Sequence, residues 1–183
     1  TDNTKRDKAY YEFLKALNRT EKPNHLPFYE HIASSGFIAE KTGTSFNRMS
    51  YSDDGYFDIF VDFWLSMGFD CVPMEVMLNC PLAAGDHAKS IGSESHAKIT
   101  NWQEFEEYPW PAASSPIEFS YFEKASKLIP DGVKIVGGVG MGPYEWVSQL
   151  MGVVGLSLAM VDYPDLVDAM FKKIGSLIIA ADK

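Results

Sequence analysis

Only two cysteines, Cys71 and Cys80, stand in 183 residues. They make neither a disulfide framework nor a CxxC half-site for a metal, so a reducing, cytoplasmic setting is expected. Arginine is nearly absent: Arg6, Arg19 and Arg48 are the three, and 25 acidic against 16 basic side chains leave a net charge of −9. A nucleic-acid binder needs a basic footprint, and none is visible, which excludes nucleic acid as a partner. Long apolar runs are missing as well. Leu150 to Val161 is interrupted by Gly152, Gly155 and Ser157 and falls short of the roughly 20 residues of a membrane helix. No basic segment with an apolar one behind it opens the chain, so neither a secretory signal nor a membrane partner is expected. What is present is 46% hydrophobic and 22% charged, with mean hydropathy −0.13. That is the composition of a single globular domain and not of a disordered chain.

Periodicity orders the elements. Lys5 to Leu17 carries Tyr10, Phe13, Leu14 and Leu17 at helical spacing. His25 to Ile32 is short, aromatic and β-prone and reads as a first strand, with Pro27 near its start where a missing N–H is tolerable. A short helix over Gly36 to Lys41 follows. Tyr56 to Met67 is a strongly apolar helix closed by Gly68. Phe69 to Leu78 reads as a second strand, apolar enough on both faces to belong in a covered parallel sheet. Asn79 to Asn101 has no periodicity and reads as a loop, a lid by its length, with a short strand or hairpin around Ile91 to Ile99. Thr100 and Asn101 both fit capping-box spacing, with Pro109-Trp-Pro111 as the stop. Ser115-Pro-Ile-Glu118 predicts a second helix start, running to Ile129. Val133 to Val139 is a third strand, Tyr144 to Met151 a helix, and Tyr163-Pro-Asp165 opens a last helix with Leu166, Met170, Ile174, Leu177 and Ile178 in one stripe. Strand and helix alternate, as in βα units on a parallel sheet. Three strands in this length, with a last helix reaching Ala181-Asp-Lys183 without a cap glycine, suggest the front of a barrel that needs about 250 residues.

Four segments in order carry a resemblance to a known family. They are LKALNRTEKPNHLPFYE (Leu14 to Glu30), ITNWQEFEEYPWP (Ile99 to Pro111), GPYEWVSQLMG (Gly142 to Gly152) and DYPDLVDAMFKKIGSLI (Asp162 to Ile178). Together they resemble the uroporphyrinogen decarboxylase superfamily, which includes cobalamin-dependent methyltransferases. The resemblance implies an α/β fold, the N-terminal part of a (β/α)8 TIM barrel with about three βα units and an N-terminal helix. Residues 1–183 would then be one partial domain whose C-terminal half is absent. Departures from the family pattern bear on the activity. The decarboxylases carry an arginine-rich stretch after strand 1, where this chain reads Glu30-His-Ile-Ala-Ser-Ser-Gly36. Their catalytic aspartate at the end of strand 2 is matched by Glu75. Relatives often have glutamate where Val154 stands. The zinc ligands of the methyltransferases would fall in the absent half, so no metal site is expected here; a corrinoid and zinc belong to the expectation for the full-length parent.

The expected function is therefore a tetrapyrrole enzyme, closer to the corrinoid-dependent methyltransferases than to a strict uroporphyrinogen III decarboxylase. A true decarboxylase and a non-catalytic half-barrel module stay open as alternatives. Expected partners are a small-molecule or tetrapyrrole ligand and, for the open sheet edges, the missing half or a second copy. Glu75 would be buried by Val72, Met74, Val76 and Met77 and aimed into the barrel mouth, where barrel enzymes keep their functional groups. Its alternative is a structural acid, paired or turned to solvent. Glu30 and His31 end strand 1 and form a candidate acid–base pair, against a plain surface reading of equal weight. His87, with Asp86 and His96, lies in the long loop as a lid candidate or a solvated polar residue. Gly140 and Met141, following Gly137-Gly138, either let a flat ligand approach the backbone or simply turn the chain tightly. Tyr144 and Gln149 are the substrate-binding candidates on the following helix, while Trp146, Leu150 and Val153 read as core.

Overall fold

The computed structural model describes residues 9–82 and 97–183. Among the described residues eight α-helices and two strands follow in the order α1 (Ala9–Asn18), α2 (Ser35–Thr42), α3 (Tyr56–Ser66), β1 (Cys71–Val76), α4 (Trp102–Glu107), α5 (Ser120–Ser126), β2 (Lys134–Val139), α6 (Pro143–Met151), α7 (Val153–Asp162) and α8 (Pro164–Ala181). A 3₁₀ turn at Phe46–Arg48 lies between α2 and α3. The fold is mixed α/β, and β1 and β2 pair in a two-stranded parallel sheet. The chain divides into two compact units, Thr1–Glu75 with Phe119–Gly137, and Val76–Glu118 with Gly138–Lys183.

In the first unit α3 supplies the core. Its Phe63 and Trp64 are buried, and Trp64 stands edge-on to Phe69 at 4.9 Å between ring centres. Gly68, with φ 85°, closes that helix as its position in the sequence predicts. β1 then buries Cys71, Val72 and Met74. β2 closes tightly on it: a Cβ on Gly137 would stand 1.7 Å from the Met74 carbonyl oxygen. Tight packing, and not room for a flat ligand, therefore explains this glycine. Gly137→Ala is expected to force the strands apart and to destabilise by about 3 kcal/mol, the upper range for overpacking, measured as a lower urea midpoint.

Two buried carboxylates clasp the segment that follows α1. Glu12 accepts from the Asn24 backbone N–H at 2.6 Å, from its side-chain amide at 3.1 Å and from Lys15 at 3.0 Å. Asp70 accepts from the Phe28 N–H at 2.7 Å and bonds the His25 ring at 3.0 Å, while its own N–H donates to the Phe28 carbonyl at 3.0 Å. The expected first strand over His25 to Ile32 is not one. Pro27 lacks an N–H, the Phe28 N–H is taken by a side chain instead of a neighbouring strand, and Leu26, Phe28 and Ile32 are exposed. The bond from the Asn24 N–H, with Lys15, holds the Glu12 carboxyl below its ordinary value of 4.5. Its stabilisation is therefore complete above that value and lost as pH falls through the lower folded value. The gap in urea midpoint between the native chain and Glu12→Gln is expected to hold from pH 7 to about pH 5 and to narrow below that as pH falls toward about 3.

In the second unit α8 lays the expected stripe inward, with Leu166, Met170, Ile174 and Leu177 buried. α6 buries Trp146 and Leu150 as expected. Asn101 caps α4, accepting from the Glu104 N–H at 3.0 Å, and Glu104 answers by accepting from the Thr100 N–H at 2.6 Å. The helix predicted from Ser115 starts only at Ser120. Asn79 donates to the carbonyls of Ser115 (3.1 Å) and Pro116 (2.7 Å), which holds that segment out of the helix. The apolar run after Gly152 forms a helix of its own, α7. Among the described residues no single helix is long and apolar enough to cross a membrane; α6 and α7 pass only as a pair, bent by 95°. Most of the loop from Asn79 to Asn101, with its lid reading and the hairpin around Ile91, lies outside the described residues.

Candidate active site

In the first unit the chemistry gathers at the C-terminal end of β1. A strand alternates its side chains, and β1 departs from full burial only at Glu75, which is exposed. The expectation that its apolar neighbours bury Glu75 is therefore corrected. Val72, Met74 and Val76 lie on the opposite face of the strand, and Met77, beyond its end, is exposed. Among the described residues no hydrogen bond or ion pair holds the Glu75 carboxylate.

Tyr29, which the sequence reading passed over, belongs with it. Burial pushes its phenol pKa up, and the Glu75 charge adds to this, followed by Cys71 and Glu30. The hydroxyl therefore stays a hydrogen-bond donor at neutral pH. Its ring packs on Phe13 at 5.7 Å. Glu30 and His31 are brought together but closed on one another: Glu30 accepts from the His31 N–H at 2.8 Å, and its Oε1 lies 3.4 Å from the ring Nδ1. That backbone bond, then the ring, holds the Glu30 carboxyl low. Both side chains are more than half exposed.

A second histidine–carboxylate pair was not foreseen. Asp70 is 7% exposed and holds His25 from just ahead of β1, at the opposite end of the strand from Glu75. An acid opening an otherwise apolar strand was the available signal, because a carboxylate there needs partners.

In the second unit the turn after β2 is fully used by its own chain. Gly140 donates its N–H to the Val76 carbonyl at 2.9 Å and accepts from the Trp146 indole at 2.9 Å. Met141 sits at φ 67°, an uncommon conformation for a residue with a Cβ. Glu145 accepts from the Gly142 N–H at 2.7 Å and starts α6. Tyr144 is 57% exposed on the first turn of α6, and Gln149 is half-buried. Five residues apart on one helix, the two side chains leave it in different directions. His87 falls outside the described residues.

Among the described residues no three histidine, cysteine, aspartate or glutamate side chains gather for a metal. Cys71 and Cys80 are buried, and burial pushes both thiols up to about 11. They are protonated at neutral pH. The chain matches no family model, no curated protein and no solved structure.

Proposed function

We propose that these βα elements belong to a (β/α)8 barrel enzyme of the uroporphyrinogen decarboxylase superfamily, acting on or with a tetrapyrrole. The branch favoured is that of the corrinoid-dependent methyltransferases. The motifs quoted above and the parallel pairing of β1 with β2 support the family reading. The observation that carries the choice of ligand is electrostatic. After burial, the charges that act on Tyr29 come from acidic groups, Glu75 first, then Cys71 and Glu30. No lysine or arginine stands between Pro23 and Glu40 to offset them.

Each group has a role on its own unit. Glu75 accepts a hydrogen bond from an N–H or amide of the ligand, and Tyr29 donates one beside it. His31, held through Nδ1 by Glu30, moves a proton at Nε2. On the second unit, Tyr144 offers an exposed ring for stacking against a flat macrocycle. Gly140 offers no free backbone group, so its part is limited to shaping the turn. Zinc does not fit the described residues, and no step is assigned to it. A corrinoid, when bound, supplies the methyl-carrying cobalt.

The test is a titration of the purified protein with hydroxocobalamin, followed by absorbance and by filter retention. Saturable binding is expected, with Glu75→Gln weakening it about tenfold, the worth of one charge-assisted hydrogen bond. No retention at any concentration, or binding indifferent to Glu75, overturns the assignment.

A further inference from the structure

An open cavity of about 300 Å³ lies in the first unit, lined by residues 51–58 and by Lys124, Lys127 and Leu128. It shares no residue with the site at the end of β1. Tyr51 and Tyr56 line it, and their hydroxyls share a hydrogen bond. Burial pushes both phenols up, so one proton of the pair stays free to be donated. The Lys124 ammonium lies 5.7 Å from the Phe57 ring centre and 5.6 Å from that of Tyr121, so those ring faces are in use. Tyr51 stacks on Tyr121 at 4.7 Å yet stays 40% exposed, which makes it the open aromatic platform.

The charges around the cavity narrow the ligand class. Asp53 is committed to the Ser50 N–H, at 2.7 Å. Asp54, Asp58 and Lys127 line the same cavity, and among the described residues their side chains form no hydrogen bond or ion pair. An anion would meet Asp54 and Asp58, and a cation would meet Lys124 and Lys127. A metal ion is disfavoured, because among the described residues no three ligating side chains gather. A purely apolar ligand would strip water from these charges and replace it with nothing. A zwitterion gains little, since exposed charge pairs are worth little in water. A hydroxyl suits both signs, donating to a carboxylate and accepting from an ammonium. A sugar ring carries several hydroxyls on its edge and a C–H face that packs on the electron-rich face of a phenol. The volume stands at the low end for ligand sites, which suits one ring and not a chain. We propose that this cavity binds a neutral hexopyranose, stacked on Tyr51 and held at its hydroxyls by Asp54, Asp58 and Lys127. This inference does not depend on the tetrapyrrole reading.

The probes are the methyl glycosides of glucose, galactose and mannose, with inorganic phosphate and glycine as the charged arms. Each is titrated into the native protein and followed by backbone amide shifts in NMR, which read affinity and place together. Saturable shifts at Asp54, Asp58 and Lys127 are expected for at least one glycoside, with affinity on the order of millimolar because an open site makes few contacts. An uncharged ligand is not screened, so the midpoint should hold within about twofold from about 50 to 500 mM salt. Asp54→Ala and Lys127→Ala should each weaken binding about tenfold, the worth of one hydrogen bond to a charged group. Both side chains are exposed, so the urea midpoints should stay at the native value. No glycoside shift at these residues overturns the proposal, as does saturation by phosphate or glycine alone. Glycoside binding indifferent to both variants overturns it as well.

Discussion

Asp70→Ala is expected to lower the stability of the first unit by about 2 to 4 kcal/mol. The carboxylate accepts from the Phe28 N–H and from His25 at once, and it does so nearly out of water. A hydrogen bond to a charged group is worth roughly 1.5 to 3 kcal/mol, and a buried donor left without a partner costs about 1 to 3. The alanine variant loses the former and incurs part of the latter at the Phe28 N–H. Asp70→Asn keeps one carbonyl oxygen as acceptor and should lose about half as much. Glu30→Ala is the control: its carboxylate is exposed and bonded to the adjacent residues His31 and Ile32, so a change within about 0.5 kcal/mol is expected. Urea unfolding of the four proteins decides the matter. An Asp70→Ala midpoint equal to that of the control would show that the clasp contributes nothing. The consequence reaches function, because the residue after Phe28 is Tyr29, whose hydroxyl responds to Glu75. Slackening the clasp should therefore weaken ligand binding even though Asp70 touches no ligand.

That clasp also shows where reading the chain by periodicity stops. Local signals placed α3 up to Gly68, the cap of α4, both strands of the sheet and the inward stripe of α8, because each depends on residues within a turn or two. The segment from His25 to Ile32 has a strand's composition, but its hydrogen bonds go to Asp70, some forty residues on. Ser115-Pro-Ile-Glu118 has a helix start's composition, but Asn79 holds its carbonyls from a distance. In both cases a long-range side-chain bond overrode local preference, and no window on the sequence contains it. α7 escaped for a different reason. It is apolar on nearly every side, so it carries no period to detect, and the 95° bend at Gly152 separates it from α6. At the candidate site, Glu75 was found by its place at the end of β1, while its exposure was misjudged. Listing apolar neighbours in sequence ignored that alternate residues face opposite ways.

The exposure of Glu75 sharpens the last expectation: the protein, in its longest available form, should not convert uroporphyrinogen III to coproporphyrinogen at a useful rate. That substrate is a polycarboxylate, and its binding requires cations in the site. Bringing one of its carboxylates within about 4 Å of Glu75 costs about 1 kcal/mol in bulk water and about 4 in a surface cleft. The net charge of −9 opposes its approach from further out. Tyr29 donates one hydrogen bond and does not reverse that sign. A corrinoid or a small methyl donor carries far less negative charge and escapes most of this penalty. The measurement is chromatography of coproporphyrinogen formed under anaerobic conditions, run on the native protein and on Glu75→Gln. Background conversion by the native protein, with tighter uroporphyrinogen retention by Glu75→Gln, is the expected pair of results. Robust turnover by the native protein, lost in Glu75→Gln, would mean that cations from elsewhere in the protein outweigh the acids at the end of β1. It would also return Glu75 to the role of the family's catalytic aspartate.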